Sequence, residues 1–239
     1  MKYKKITITG FLVLLLILVT VLYFCFSAFT ASYGYQNALV QVDNERQKKT
    51  VIIDAGHGGI DPGAVANGLV EKDLNLAIAK KLESFLRIAD VNVVLSRSDD
   101  VLLGDGDTVR AHKVADLKAR LDLLKQTDDA ILVSIHINKF TSPSVHGLQT
   151  FYAENIGDSD KLAAYIQEAS KLVDKDNKRS IKPDDGNIYI LENADKTAVL
   201  IECGFISNAK DASLLSNDDY QNKLAFAIYT GIIRFLQEI

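Results

Sequence analysis

Hydrophobic and polar positions divide this chain into three stretches. From Ile6 to Val42 there is no Asp, Glu, Lys or Arg, and the first part, ITITGFLVLLLILVTVLYFCF, is almost wholly apolar. A helix needs about 20 apolar residues to cross the hydrocarbon layer, whereas the apolar part of a cleaved signal peptide holds about 7 to 15. The run Ile6 to Phe26 meets the longer requirement. Residues 1–31 are therefore expected to form a retained N-terminal transmembrane helix, with a signal segment as the alternative. Lys2, Lys4 and Lys5 precede the run. Such lysines stay in the cytoplasm, which places the rest of the chain on the outer face of the cytoplasmic membrane. Residues 32–49 turn polar without clear periodicity and read as a linker.

The third stretch, residues 50–239, alternates two periods. Val51-Ile52-Ile53 is a short β-branched run ended by Asp54 and the glycine-rich AGHGG, the pattern of a buried strand and a turn. From Asp73 to Ala89, Leu74, Ile78, Leu82, Phe85 and Leu86 recur at helical spacing and give one face that must pack. The pattern then predicts a strand over 91–95, a helix over 116–125 and a strand over 130–135. It continues with a strand over 148–152, a helix from Asp160 to about Val173, and strands over 188–191 and 198–201. An amphipathic helix from about Tyr220 to Leu236 closes the series. Segments 102–113 and 175–187 read as solvated loops. This alternation predicts an α/β fold in one domain, with a mostly parallel sheet flanked by helices.

Composition narrows the partners. The net charge is -4 with both signs interspersed, so there is no basic face to hold nucleic acid. Of the two cysteines, Cys25 lies within the apolar run and Cys203 near the other end, so no disulfide forms within residues 50–239. Leu22-Tyr23-Phe24 before Cys25 are too large for a lipidation signal. The stretch 50–239 is filled by one predicted fold, which leaves no separate wall-binding module.

Four residues fall at one rim of the predicted sheet. His57 lies just past the first strand, and Glu71 sits where the following loop turns into a helix. His136 closes the strand ending at Ile135, and Glu202 closes the one ending at Ile201. In open α/β sheets functional groups gather at the carboxyl ends of the strands. Two His and one Glu form a ligand set for catalytic zinc, which keeps a fourth position for water, and a second carboxylate can take that water's proton. Each residue also has a structural reading. A single His at a strand end more often serves packing, and Glu71 alone is an acid favoured by a helix dipole. Glu202 is harder to read that way, because an unpaired carboxylate after AVLI costs several kcal/mol, roughly, unless it pairs or takes a raised pKa. His112 and His146 read as surface residues, and Cys203 as a small buried hydrophobe rather than a nucleophile. AGHGGIDPGA lacks the GK[ST] ending of a phosphate loop. Asp54 and Asn138 are candidates to orient the ligands from behind, or simply polar turn residues.

VIIDAGHGGIDPGA, LVEKDLNL, LVSIHIN and VLIECGFISN, in this order, resemble the motifs of the zinc-dependent N-acetylmuramoyl-L-alanine amidases of the type-3 class, over residues 50–239. The resemblance implies one catalytic zinc held by His57, Glu71 and His136, with Glu202 as catalytic carboxylate and peptidoglycan as substrate. The whole layout is similar to that of spore-cortex amidases of endospore-forming bacteria. That likeness implies removal of stem peptides before a partner deacetylase forms muramic-δ-lactam, a step needed for germination. The missing wall-binding module further suggests an accessory protein that controls activity. The rival expectations are a zinc peptidase cutting within the stem peptide and a non-catalytic relative that binds wall or recruits partners.

Overall fold

The computed structural model describes residues 8–45, 49–154 and 156–239; Lys2, Lys4 and Lys5 lie outside them. The chain divides into two units, 1–47 and 48–239. In the first, helix α1 (Ile8–Glu45) includes Gly10–Thr30, with mean hydropathy 2.8, long and apolar enough to cross a membrane. The helix continues to Glu45, so most of the stretch expected as a non-periodic linker is helical.

The second unit is built on a six-stranded sheet ordered β4-β1-β5-β8-β6-β7. Strands β1 (Thr50–Ala55), β4 (Asn92–Leu95), β5 (Ala130–Asn138) and β8 (Ala198–Phe205) run parallel. Strand β6 (Gln149–Tyr152) pairs antiparallel with β8, and β7 (Lys182–Pro183) adds the edge. Successive side chains of a strand point to opposite faces, and both faces here are covered. Val51, Ile53, Ile131, Val133 and Ile135 pack with α2 (Glu71–Ile88), α4 (Ser159–Ala169) and α7 (Asp218–Gln237). On the other face Ile52 and Leu132 pack with Leu124 of α3 (Val109–Gln126) and with Ile190 and Leu191 of α5 (Tyr189–Glu192). A two-stranded ribbon, β2 (Val65–Ala66) with β3 (Leu69–Val70), leads into α2. Helix α6 (Ala209–Leu215) follows β8.

Within the second unit the sequence pattern and the structure part in further places. Over 188–191, expected as a strand, the chain instead enters helix α5 at Tyr189, with Ile188 as its extended N-cap; four apolar residues carry no period of their own, and their packing against α3 and β8 decides. Helix α3 begins at Val109, inside the segment expected as a loop, with the Thr108 side chain accepting from Ala111 N at 3.1 Å as its cap. Segment 175–187 contains the short strand β7. Finally, β5 and β8 run past Ile135 and Ile201, so His136 and Glu202 lie within strands and face each other in register.

Candidate active site

His57 enters the site because β1 ends at Ala55 and the chain turns immediately. Its φ is 61°, a left-handed conformation rare for a side chain with a Cβ, followed by Gly58 and Gly59 also at positive φ. Glu71 opens α2, where its backbone N donates to Ala64 O at 2.9 Å and its carboxylate doubles back. Buried Leu74, Ile78, Leu82 and Leu86 hold that helix on the sheet, each such side chain contributing about 1.5–3 kcal/mol on burial. His136 and Glu202 are set by adjacent parallel strands.

These elements bring the predicted group together. Ligand atoms of His57, Glu71 and His136 all lie within 4.8 Å of one another. His57 Nε2 is 3.3 Å from Glu71 Oε1, and His136 Nδ1 is 2.9 Å from the same oxygen. Two glycines make the room. A Cβ on Gly56 would lie 2.2 Å from His136 Nε2, and one on Gly63 would lie 2.5 Å from Glu71 Oε2. Glu71 Oε2 also accepts from Ala64 N at 2.7 Å, and Oε1 from Ile137 N at 3.1 Å. His57 Nδ1 lies 2.9 Å from Asp61 Oδ2, leaving Nε2 to face Glu71. Asp61 in turn meets Lys113 Nζ at 2.7 Å. This donor set fits a divalent zinc: two imidazole nitrogens and a carboxylate oxygen converge, with an acid behind one imidazole to fix its tautomer.

The charges reinforce each other. Burial by itself disfavours ionised Glu71, but His136 and His57 outweigh it and hold the carboxyl far below its usual range. Burial likewise lowers the basicity of His57, yet Glu71 and Asp61 raise it to about 8. Glu202 behaves oppositely. Its burial raises the pKa to about 7, with Glu71 adding to the rise and His136 and His57 opposing it. Its Oε2 is buried without a hydrogen-bond partner among the described residues. A carboxylate of this kind can take and release a proton near neutral pH.

The other candidates resolve differently. Asp54 accepts from Ser134 Oγ at 2.6 Å and pairs with Arg120, and its hydrogen bonds among the described residues go to neither histidine. Asn138 contributes its backbone carbonyl, which accepts from Ile206 N at 2.8 Å. His112 lies in α3 with Nδ1 3.6 Å from Asp105 Oδ1, and His146 is exposed. Cys203 is buried, and burial together with Glu202 and Glu71 pushes its thiol well above the usual range, so it is no nucleophile. Sequence reasoning missed Asp61, Asn75, Arg97 and Arg120. Asp61 was within reach, as an acid four residues past His57 in a glycine-rich turn. The arginines stand far from any motif.

Fold and site together have the form of a metal-dependent hydrolase, and the chain belongs to the N-acetylmuramoyl-L-alanine amidase family Amidase_3, matched over residues 51–234. It is 35% identical over 192 residues to the germination-specific N-acetylmuramoyl-L-alanine amidase of Bacillus subtilis (strain 168), covering 80% of this chain and 81% of that one. A solved structure of the CwlD amidase from Clostridioides difficile, in complex with the GerS lipoprotein, is 43% identical with a TM-score of 0.77, over 80% of this chain and 100% of that one. The catalytic domain of CwlV from Bacillus (Paenibacillus) polymyxa var. colistinus is 34% identical with a TM-score of 0.68, over 79% and 98% of the two chains.

Proposed function

We propose that this amidase uses one zinc ion, held by His57 Nε2, Glu71 and His136 Nδ1, to hydrolyse the amide between the lactyl group of N-acetylmuramic acid and L-alanine. The observation that carries this reading is the convergence of those ligand atoms within 4.8 Å in register with Glu202. When bound, zinc supplies Lewis-acid polarisation of the amide carbonyl and lowers the pKa of water from 15.7 towards about 7. Glu202 accepts the proton of the attacking water and returns it to the leaving amine of L-alanine. Asp61, hydrogen-bonded to His57 Nδ1, keeps the other ring nitrogen free and aimed at the site. The raised pKa of Glu202 suits both directions of transfer.

The role is cortex maturation in a spore-forming bacterium, upstream of a deacetylase that completes muramic-δ-lactam. The germination-specific relative supports this reading. An accessory lipoprotein is the favoured partner, supported by the relative that was solved with one. Residues 1–31 anchor the chain, residues 32–49 connect it, and residues 50–239 act outside the cytoplasmic membrane; the apolar span Gly10–Thr30 supports this arrangement.

The test is metal analysis of the purified full-length protein combined with mass spectrometry of digested muropeptides. Stoichiometric zinc and released peptides beginning with L-alanine are expected. Peptides cut within the stem would instead identify a peptidase, and activity undiminished by chelation would remove zinc from the mechanism.

A further inference from the structure

Behind His57 lies a pair of buried arginines that the reaction does not use directly. Three consecutive carbonyls, those of Ala55, Gly56 and His57, leave the sheet as β1 ends, and side chains receive all three. Ala55 O accepts from Arg97 Nε and from Arg120 Nη1, each at 2.8 Å. Gly56 O accepts from Arg97 Nη2 and from Asn75 Nδ2, each at 3.1 Å. His57 O accepts from Arg120 Nη2 at 2.7 Å. Arg97 Nη2 also reaches Lys72 O at 2.7 Å, which joins this turn to the first turn of α2 beside Glu71. Both arginines are almost fully buried, at 3% and 2% exposure. Arg120 is braced in turn by Asp54 and by Asp116, whose Oδ2 lies 2.7 Å from Nε.

Two buried guanidinium groups aimed at backbone carbonyls are costly to keep in a fold, because each charge must be desolvated. A hydrophobic plug would fill the space more cheaply. What the pair does that a plug could not is fix the direction of three peptide planes at once, at a residue held in a left-handed conformation. A rigid guanidinium fork suits that task, whereas an ammonium is a point donor.

We propose that Arg120 and Arg97 are positioning residues that hold the backbone of His57, and through it the imidazole, in the geometry that binds the metal. The inference rests on the zinc reading above. Metal binding is then sensitive to these residues although neither contacts the ion. Groups that support metal ligands in this way typically alter metal affinity by about 10- to 100-fold.

The experiment measures zinc dissociation constants by chelator competition for the full-length protein and for Arg120→Lys, Arg97→Lys and Phe235→Leu, with thermal melting of each metal-free protein. Phe235 is buried in α7 and makes no part of the site, so Phe235→Leu reports how ordinary destabilisation affects zinc. Arg120→Lys and Arg97→Lys are expected to weaken zinc binding by about 10- to 100-fold, with Phe235→Leu near wild type. Activity of the lysine variants should fall at limiting zinc and return largely at saturating zinc, since the acid–base group is untouched. Wild-type affinity in both lysine variants overturns the inference while leaving the zinc site in place. A loss of affinity no greater than that of Phe235→Leu at a matched drop in melting temperature also overturns it, as does failure of both lysine variants to fold, which would make the pair purely structural. A wild-type protein that binds no zinc would instead bring down the metal reading itself.

Discussion

At the scale of single residues, the two glutamates of the site are the same side chain in opposite surroundings. Glu71 sits between two imidazoles and accepts from two backbone N–H groups, so it stays ionised and can only bind. Among the described residues Glu202 Oε2 has no hydrogen-bond partner, and burial raises the pKa of Glu202 to about 7, so it can exchange a proton. Glu202→Gln is therefore expected to retain zinc and fold while kcat falls by about 10²- to 10⁴-fold; near wild-type turnover would make Glu202 structural. On the proposed zinc reading His57→Ala or His136→Ala removes one of three protein ligands, and zinc content measured after dialysis should drop to trace levels. Asp54 belongs to stability rather than chemistry. Burial raises its pKa, but Arg120 and Ser134 overcome this and hold it at about 2, below the ordinary 3.8. A depressed carboxyl pKa contributes stability above the unfolded value, and that contribution is lost as pH falls from about 4 through 2, amounting to about 2 kcal/mol. Denaturant midpoints of the wild type should fall across that window, and Asp54→Asn should lose stability at neutral pH and show a flatter acid limb.

At the scale of elements, each site residue depends on how one element begins or ends. The apolar stripe of α2 was visible in the sequence because Leu74, Ile78, Leu82 and Leu86 repeat at helical spacing, and that stripe seats Glu71. The start of α3 was not visible, since Val109 to Val114 alternate charge and exposure with no buried face; its Thr108 cap is a local contact realised only once the chain turns there. Residues 188–191 show the limit of short apolar runs, whose helix or strand fate is set by neighbours. Helix ends distant from the site give a contrast. At the start of α7 the Asn217 side chain accepts from Tyr220 N at 2.9 Å. Asn217→Ala should cost about 1 kcal/mol in denaturant unfolding and leave zinc affinity unchanged; a change in zinc affinity would show that α7 is coupled to the metal loop.

At the scale of the whole molecule, the chain divides into units 1–47 and 48–239, which on the proposed reading separates an anchor from the catalytic fold. On the proposed reading a tether adds to wall affinity, because tethering raises local concentration without new contacts. A fragment of residues 50–239 is expected to fold and to cleave isolated peptidoglycan slowly at low micromolar zinc, with full-length protein in membranes acting faster on wall at the same concentration. Rapid, zinc-saturated cleavage by the fragment alone would remove the need for either anchor or partner.

The sequence by itself determined the parts that depend on local pattern. Short apolar runs and helical spacing specify most strands and helices, and the motif residues His57, Glu71, His136 and Glu202 were recognisable because glycines and apolar strings frame them. What only the tertiary structure decided is everything that depends on contacts between distant residues. Arg97 and Arg120 carry no motif, yet they hydrogen-bond the backbone of the turn at His57 across about 40 to 60 positions of chain. Asp54 became the counter-ion of Arg120 rather than a partner of a histidine. The reason is physical: a buried charge takes its role from whatever compensates it, and that partner is chosen by packing in three dimensions, where separation along the chain has no influence.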